Sequence, residues 1–159
     1  MKIVAAGSSN YLKEGVKYLS ENGFEPEFII ENDRKVIEFE KEIKKQKIDL
    51  LVCLAYPNIL KKNEIDLFNK GCINLHAGLP AYRGRHPVPT MLIDGLDEIP
   101  VSVHFLDEGI DTGKIITNDT ILVDRDDTYE NVMKKILNIE KPLLLYAIKQ
   151  IATNTFYAR

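Results

Sequence analysis

The chain has 159 residues, of which 45% are hydrophobic and 28% charged, with nine glycines and seven prolines. This length and balance predict one compact soluble domain spanning residues 1–159, too small for two full cores. The net charge of -3 disfavours a long nucleic-acid footprint. No apolar run approaches the ~20 residues that cross a bilayer, and no signal-peptide pattern opens the chain, so we expect no membrane partner and a cytoplasmic location.

Apolar runs rich in β-branched residues alternate with segments of helical period, a pattern typical of βαβ units. It predicts an α/β fold: a mostly parallel, twisted, Rossmann-like sheet with helices on both faces. The predicted elements of the first half are strand 2–6, a helix from about residue 10 to Gly23, strand 27–30, helix 33–47, strand 49–55, a helix begun by Pro57 and ended by Gly71, and strand 72–76.

The longest element predicted for the second half is the terminal helix. Asp127 and Glu130 predict a capping box at its start, and Pro142 should kink or restart it. Its apolar stripe fits the sheet or a second subunit equally, so a homodimer stays open. Before it come a loop rich in Gly, Pro and Arg after residue 76, a short helix from Pro87 to near Gly95, strands 101–106 and 115–123, and the turn-rich segment 107–113 between them.

The two cysteines, Cys53 and Cys72, lie inside apolar runs. Two thiols in such settings fit neither a disulfide framework nor a metal knuckle. We interpret both as small buried hydrophobes, and we expect no metal.

Ligands of open α/β sheets bind beyond the carboxyl ends of the strands, where loops converge. Asn74 and His76 lie two residues apart near such an end, so their side chains face the same side. An amide beside an imidazole can stabilise an oxyanion, although a strand-terminal Asn and a packed His are the simpler interpretation. Asp111 lies in a segment able to fold back over the strand ends, where its carboxylate would orient a histidine for proton transfer; a solvated hairpin loop is the alternative.

The turn after the first strand consists of the small residues Gly7, Ser8, Ser9 and Asn10. A turn of this kind before a helix leaves backbone N–H groups for a phosphate or another anion, and a plain helix cap at Ser9 or Asn10 is the alternative. Neither G-x-G-x-x-G nor a P-loop motif occurs, so a nicotinamide or a P-loop nucleoside triphosphate has no support.

Four stretches of sequence carry a resemblance to a known family. Together they resemble the formyltransferases that use 10-formyltetrahydrofolate, which include the glycinamide ribonucleotide, methionyl-tRNA and nucleotide-sugar amine formyltransferases. The resemblance implies that Asn74 and His76 stabilise the oxyanion of a tetrahedral intermediate. It also implies that Asp111 orients His76 and accepts the amine proton, directly or through a water, with no metal. The stretches are Leu51-Val-Cys-Leu-Ala-Tyr56, Gly71-Cys-Ile-Asn-Leu-His76, Tyr82-Arg-Gly-Arg-His-Pro87 and Val103-His-Phe-Leu-Asp-Glu-Gly-Ile-Asp-Thr-Gly-Lys-Ile-Ile116.

The resemblance also implies a place for the formyl donor. The pterin would lie against the loop after the third strand, which contains Tyr56, Ile59 and Leu60, and beside the backbone of Ile110 and Thr112. The first three residues could equally belong to the core.

Arg83 and Arg85 suit phosphates or the glutamate tail of the folate, or they are exposed loop arginines. His86 and His104 receive no firm role.

The sequence departs from the family pattern in several places. The family loop after the histidine commonly reads H-x-S-L-L-P-x-Y-R-G, whereas this loop is one residue shorter and has Gly78 where a serine is usual. Pro100 replaces a usual glycine, and one βα unit of the glycinamide ribonucleotide enzymes is missing between the second and third strands. Nothing after the terminal helix resembles the RNA-contacting domain of the methionyl-tRNA enzymes, so we expect no such accessory domain.

We therefore expect an N-formyltransferase that moves a formyl group from 10-formyltetrahydrofolate to a primary amine of a small phosphorylated or nucleotide-linked substrate. An amino sugar is favoured over glycinamide ribonucleotide or methionyl-tRNA. Two alternatives stay open: a hydrolase that passes the formyl group to water, and a shortened binding module that holds a folate or nucleotide without catalysis.

Overall fold

The computed structural model describes residues 1–155, in which six strands alternate with five helices. The chain divides into two compact units, one made of residues 1–74 and 105–109 and the other of residues 75–104 and those from 110 onward. The elements are β1 Ile3–Gly7, α1 Ser9–Glu21, β2 Ile29–Glu31, a 3-10 turn Val36–Phe39, α2 Glu40–Gln46, β3 Leu50–Leu54, α3 Lys62–Ile65, β4 Cys72–Ala77, α4 Pro87–Ile93, β5 Glu98–Phe105, β6 Ile115–Leu122 and α5 Tyr129–Ala152.

The strands follow the order β2-β1-β3-β4-β5-β6 in one sheet, and the first four are parallel. β5 runs the other way. The Leu106 N–H donates to the Cys72 carbonyl, and the Gly78 N–H donates to the Pro100 carbonyl, so the pairing of β4 with β5 runs antiparallel. β6 is antiparallel to β5 and therefore parallel to β4. The predicted α/β class with a mostly parallel sheet is confirmed.

Helices cover both faces of the sheet in the first unit. Because side chains alternate along a strand, Leu51 and Cys53 of β3 face one side, where they pack in a core cluster with Ile43 of α2. Leu54 faces the other side, where its side chain meets Gly15 of α1 closely enough that a Cβ there would lie 2.6 Å away. The apolar runs of β1 and β3 are fully buried, as a two-sided parallel sheet requires.

In the second unit one face of β5 carries the core. Ile99 and Val101 pack in a cluster with Met91 of α4 and Ile136 of α5. The alternate residues of β5, which include Ser102 and His104, face the opposite side and are also buried. Polar side chains therefore lie together on the face that α4 and α5 do not cover.

Three predicted helix starts are wrong. The helix expected over residues 33–47 begins as the 3-10 turn at Val36 and becomes α-helical only at Glu40. The helix expected from Pro57 is only α3, because the Glu64 carboxylate accepts the N–H of Lys61 and fixes the start there. The terminal helix is capped by Thr128, whose hydroxyl accepts the Asn131 N–H, and not by a capping box at Asp127.

The terminal helix also continues through Pro142 instead of restarting. The carboxylate of Asp127, expected to cap it, accepts from the Asp124 N–H and from Lys135.

Cys53 and Cys72 are free and buried, in agreement with the prediction. No helix within residues 1–155 combines the length and the apolar character needed to span a membrane. The same residues include no group of three or more His, Cys, Asp or Glu that could hold a metal ion.

Candidate active site

His76 lies near the end of β4, with its imidazole held at both nitrogens. Nε2 lies 2.9 Å from the carbonyl oxygen of Tyr82, and Nδ1 lies 3.5 Å from Oδ2 of Asp111. The side chain is 9% exposed. A carbonyl oxygen can only accept a hydrogen bond, so Nε2 carries a hydrogen and donates this bond to the Tyr82 carbonyl. Nδ1 is then the ring nitrogen that faces the acid.

Asp111 brings its carboxylate to His76 from a strained backbone. Its φ is +51°, a left-handed conformation that Asp tolerates better than most residues. Oδ2 accepts the Gly84 N–H at 2.9 Å, and Oδ1 lies 3.5 Å from Nε2 of His104. The carboxylate is 13% exposed. The Asp111 carboxylate lies against His76, as expected, while residues 107–110 and Thr112 around it are exposed in the connection between the antiparallel strands β5 and β6, so the segment is also the solvated hairpin loop of the alternative.

The loop that supplies the Tyr82 carbonyl depends on Gly78. This glycine has φ +93°, and a Cβ on it would lie 2.8 Å from the Tyr82 Cβ and 3.0 Å from the Met91 side chain. The Tyr82 N–H donates to the Gly78 carbonyl, and the Tyr82 hydroxyl donates to Asp94 at 2.8 Å, a bond that raises the pKa of Tyr82. The serine that is usual in the family would not fit this shorter loop without moving Tyr82.

Asn74 precedes His76 by two residues in β4 and is partly buried. It belongs to the first compact unit, whereas His76, His104 and Asp111 belong to the second. Its place on the strand matches the prediction that it shares a face with His76.

The turn after β1 lies against the end of β3. The Ser8 hydroxyl donates to the Ala55 carbonyl at 3.1 Å, so Ser8 occupies the N-cap position of α1 without capping it through its side chain. Gly7 is required by close packing, because a Cβ there would lie 1.9 Å from the Leu54 carbonyl oxygen. Ser9 and Asn10 are exposed at the start of α1.

The residues expected to line the donor pocket differ in their surroundings. The Tyr56 hydroxyl accepts from the Val36 N–H and donates to the Arg34 carbonyl, and burial raises its pKa. Leu60 is 5% exposed and belongs to the core, whereas Ile59 is 67% exposed. Leu60 is therefore a core residue, as the alternative interpretation had it, and the Tyr56 hydroxyl joins the loop after β3 to the backbone of residues 34 and 36.

Ile110 and Thr112, the other two residues expected beside the pterin, flank Asp111 and are both exposed. Arg83 and Arg85 are exposed on the loop that bears Tyr82 and Gly84, on either side of the glycine that bonds Asp111.

Sequence reasoning did not assign His104 to this site. Its ring and that of His76 are 6.4 Å apart in an edge-on arrangement, and its side chain is fully buried. The alternation of β5 is the signal that could have found it, because Ile99, Val101 and Val103 mark the core face and leave His104 on the other.

Comparisons with known proteins identify the family. The Formyl transferase family profile matches residues 5–148. The chain belongs to this family. A methionyl-tRNA formyltransferase of Kosmotoga olearia is 35% identical over 111 residues, which is 69% of this chain and 36% of that protein. The chain spans less than half the length of the curated relatives reported for it, for example 36% and 44% of two methionyl-tRNA formyltransferases.

Solved structures share the fold at lower identity. Glycinamide ribonucleotide transformylase 1 from Symbiobacterium toebii superposes with a TM-score of 0.85 at 19% identity, covering 97% of this chain and 89% of that one. An N-formyltransferase from Helicobacter canadensis, in complex with folinic acid and dTDP-3-aminofucose, gives a TM-score of 0.77 at 22% identity, covering 98% and 65%. The Rossmann-like formyl transferase fold is therefore established for this chain.

Proposed function

We propose that the protein transfers a formyl group from 10-formyltetrahydrofolate to the primary amine of a small substrate. The observation that carries the proposal is the His76–Asp111 pair, in which a backbone carbonyl fixes the imidazole and turns Nδ1 toward the carboxylate. Family membership supplies the reaction class, and this pair supplies groups that such a reaction needs.

In the proposed reaction the amine nitrogen attacks the formyl carbon, and the carbonyl oxygen becomes an oxyanion. The Nδ1–H of His76 and the amide of Asn74 donate to this oxygen. Nδ1 lies 3.5 Å from Asp111 Oδ2, which is long for a hydrogen bond and too short to admit another atom between them, so we propose that the substrate oxygen binds beside this pair and accepts from Nδ1–H. The anchor at Nε2 keeps the ring from turning away.

Asp111 accepts the proton that the attacking amine loses, directly or through a water. The oxyanion then reforms the carbonyl, the bond from the formyl carbon to the folate nitrogen breaks, and Asp111 passes its proton, directly or through a water, to that nitrogen, so the products are the formamide and tetrahydrofolate. Donation from Nδ1 to the oxyanion requires a hydrogen on both ring nitrogens, since Nε2 keeps its bond to the Tyr82 carbonyl.

Two places are proposed for contacts with the donor: the loop after β3, where the exposed Ile59 side chain gives apolar surface for a pterin, and the backbone of Ile110 and Thr112. The structural neighbour solved with folinic acid, a folate, supports a folate donor.

For the acceptor we propose a phosphorylated or nucleotide-linked amine, with an amino sugar favoured. The exposed Arg83 and Arg85 suit phosphate oxygens, and the turn of Gly7, Ser8, Ser9 and Asn10 offers a helix start to an anion. The neighbour in complex with dTDP-3-aminofucose supports this class. The methionyl-tRNA formyltransferase relatives favour a second candidate acceptor, an aminoacyl-tRNA. The net charge of -3 disfavours this candidate, because binding a long nucleic acid usually requires a surplus of positive charge.

The test is turnover of 10-formyltetrahydrofolate with a panel of glycinamide ribonucleotide, nucleotide-linked amino sugars and methionyl-tRNA, plus a control without acceptor. We expect loss of the formyl donor only when an amine is present, fastest with a nucleotide-linked amino sugar. Formate release without an acceptor would indicate the hydrolase. Folate binding without turnover across the whole panel would indicate a binding module and contradict the proposal.

A further inference from the structure

His104 and Asp111 form a contact that the proposed reaction does not use. Nε2 of His104 lies 3.5 Å from Oδ1 of Asp111, whereas Oδ2 of the same carboxylate faces His76 and the Gly84 N–H. Two of the three histidines of the chain thus converge on one carboxylate, each on a different oxygen. Because the two oxygens have different partners, one can be held in place by His104 while the other faces His76.

Burial makes this contact consequential. The side chain of His104 is 0% exposed and that of Asp111 is 13% exposed. A carboxylate in such surroundings is stabilised only by the donors that reach it, since little water is available to replace them. At 3.5 Å the approach of His104 Nε2 to Oδ1 is a polar contact and longer than an ordinary hydrogen bond, and a ring N–H on Nε2 would be the donor that faces this oxygen.

The strand pairing next to His104 is irregular. Val103 pairs with Thr117 of β6, but His104 pairs with Ile115, so Ile116 is an extra residue opposite this point. Such bulges bend a strand locally and redirect neighbouring side chains, and they recur next to active sites. Asp111, in contrast, lies in an irregular segment with φ +51°. A rigid strand residue therefore supports a carboxylate carried by a loop.

We propose that His104 is a positioning residue that holds Oδ1 of Asp111 so that Oδ2 faces His76. The kinetic consequence of this contact rests on the proposed function, whereas the contact itself does not. His104 acts through Asp111 and is not expected to touch the substrate. Its loss should therefore lower kcat and leave the KM values of donor and amine nearly unchanged.

The first test compares His104→Gln with His104→Met. The two side chains have similar length, but only Gln keeps an N–H donor. We expect His104→Met to lower kcat about tenfold or more, with KM values within about twofold, and His104→Gln to retain most of the wild-type kcat. Equal kcat values in His104→Met, His104→Gln and the wild type would overturn the proposal.

A stability measurement separates this inference from the proposed function. We expect the effects of His104→Met and Asp111→Asn on the free energy of unfolding to be non-additive in the double variant, because residues in contact couple. This readout needs no substrate. Coupling in a protein without turnover would refute the transferase and leave the contact standing, whereas strict additivity would refute the contact.

A further variant covers the case in which His104→Met does not fold. His104→Asn stays polar but has a shorter side chain that cannot reach Oδ1 from the same backbone position. We expect it to fold and to show the same selective loss of kcat. A folded His104→Asn with wild-type kcat would overturn the proposal.

Discussion

The backbone N–H of Gly84 donates to Oδ2 of Asp111 over 2.9 Å, although 27 residues separate the two in the chain. The bond joins the loop that carries Arg83 and Arg85 to the segment that carries the acid. The Tyr82 carbonyl of the same loop accepts a hydrogen bond from Nε2 of His76. One loop therefore orients both members of the His76–Asp111 pair through its backbone.

Replacing His76 with Ala should abolish formyl transfer and leave the protein folded. The imidazole is the donor that we place at the oxyanion, and removal of such a group typically costs about 10²–10⁴-fold in rate. The measurement is kcat/KM for the formyl donor, with circular dichroism to verify folding. His86→Asn is the matched control, because His86 is an exposed histidine with φ +57°, a conformation that Asn tolerates. Full turnover by His76→Ala would remove His76 from the mechanism.

Gly78→Ala should destabilise the protein more than Gly95→Ala does. Both glycines have positive φ, but a Cβ at Gly95 meets nothing within 4 Å, whereas at Gly78 it would lie 2.8 Å from the Tyr82 Cβ. We expect a loss of about 2–4 kcal/mol for Gly78→Ala and about 1 kcal/mol for Gly95→Ala in the free energy of unfolding, measured with urea. Equal losses would show that backbone conformation alone selects glycine at position 78.

Lys135 should stabilise the protein at neutral pH and cease to do so in acid. Its ammonium group bonds Asp127 and Asp124, and the bond to Lys135 lowers the pKa of Asp127 below its usual 3.8. A carboxyl whose folded pKa is lowered contributes stability above the unfolded pKa, and this is lost as pH falls through the folded value. We expect Lys135→Met to lower the free energy of unfolding at neutral pH, and the gap from the wild type to narrow below pH 3.8.

Lys134→Met is the control for this experiment, because Lys134 is the adjacent exposed lysine of the same helix. It should alter stability little at either pH. A gap for Lys135→Met that stays constant from neutral pH into acid would contradict the role of the Asp127 bond.

Neither cysteine should react in the native protein. Burial raises the pKa of the Cys53 thiol to about 12 and that of Cys72 well above its usual 9.0. Because the thiolate is the reactive form, a colorimetric thiol reagent at mildly alkaline pH should label neither residue until denaturant is added, and then both. Rapid labelling of one thiol in the folded protein would indicate an opening of the core around β3 or β4.

The sequence predicts the sheet well because strand patterns are local. The composition of a run such as Leu50–Leu54 is enough to predict a buried strand. All six predicted strands are present, with small shifts at their ends. Helix starts were predicted less well, because they depend on distant partners. The start of α3 follows from the bonds that Glu64 makes to Lys61 and, through space, to the Ile37 N–H.

The candidate site shows the same division. His76 and Asp111 were selected from their positions after strands and from the family resemblance, and the structure brings them within 3.5 Å. The sequence assigns His104 no role, because the alternation along β5 places it opposite the core face but does not indicate that Asp111 lies beside it. The sequence also does not predict that the Tyr82 carbonyl anchors His76, because every residue has a backbone carbonyl.

The backbone contact at Gly7 shows which positions at the start of α1 are constrained by the fold. The Leu54 carbonyl leaves no room for any side chain at Gly7, and the Ser8 hydroxyl is committed to Ala55, so these two positions are fixed by the architecture. Asn10 is exposed, whereas the equally exposed Ser9 has a φ of +64° and its hydroxyl accepts the Tyr11 N–H. Of the four residues of this turn, Asn10 is therefore the one that we expect the fold to let vary most freely, which makes it the first position at which to test whether the turn contacts the acceptor.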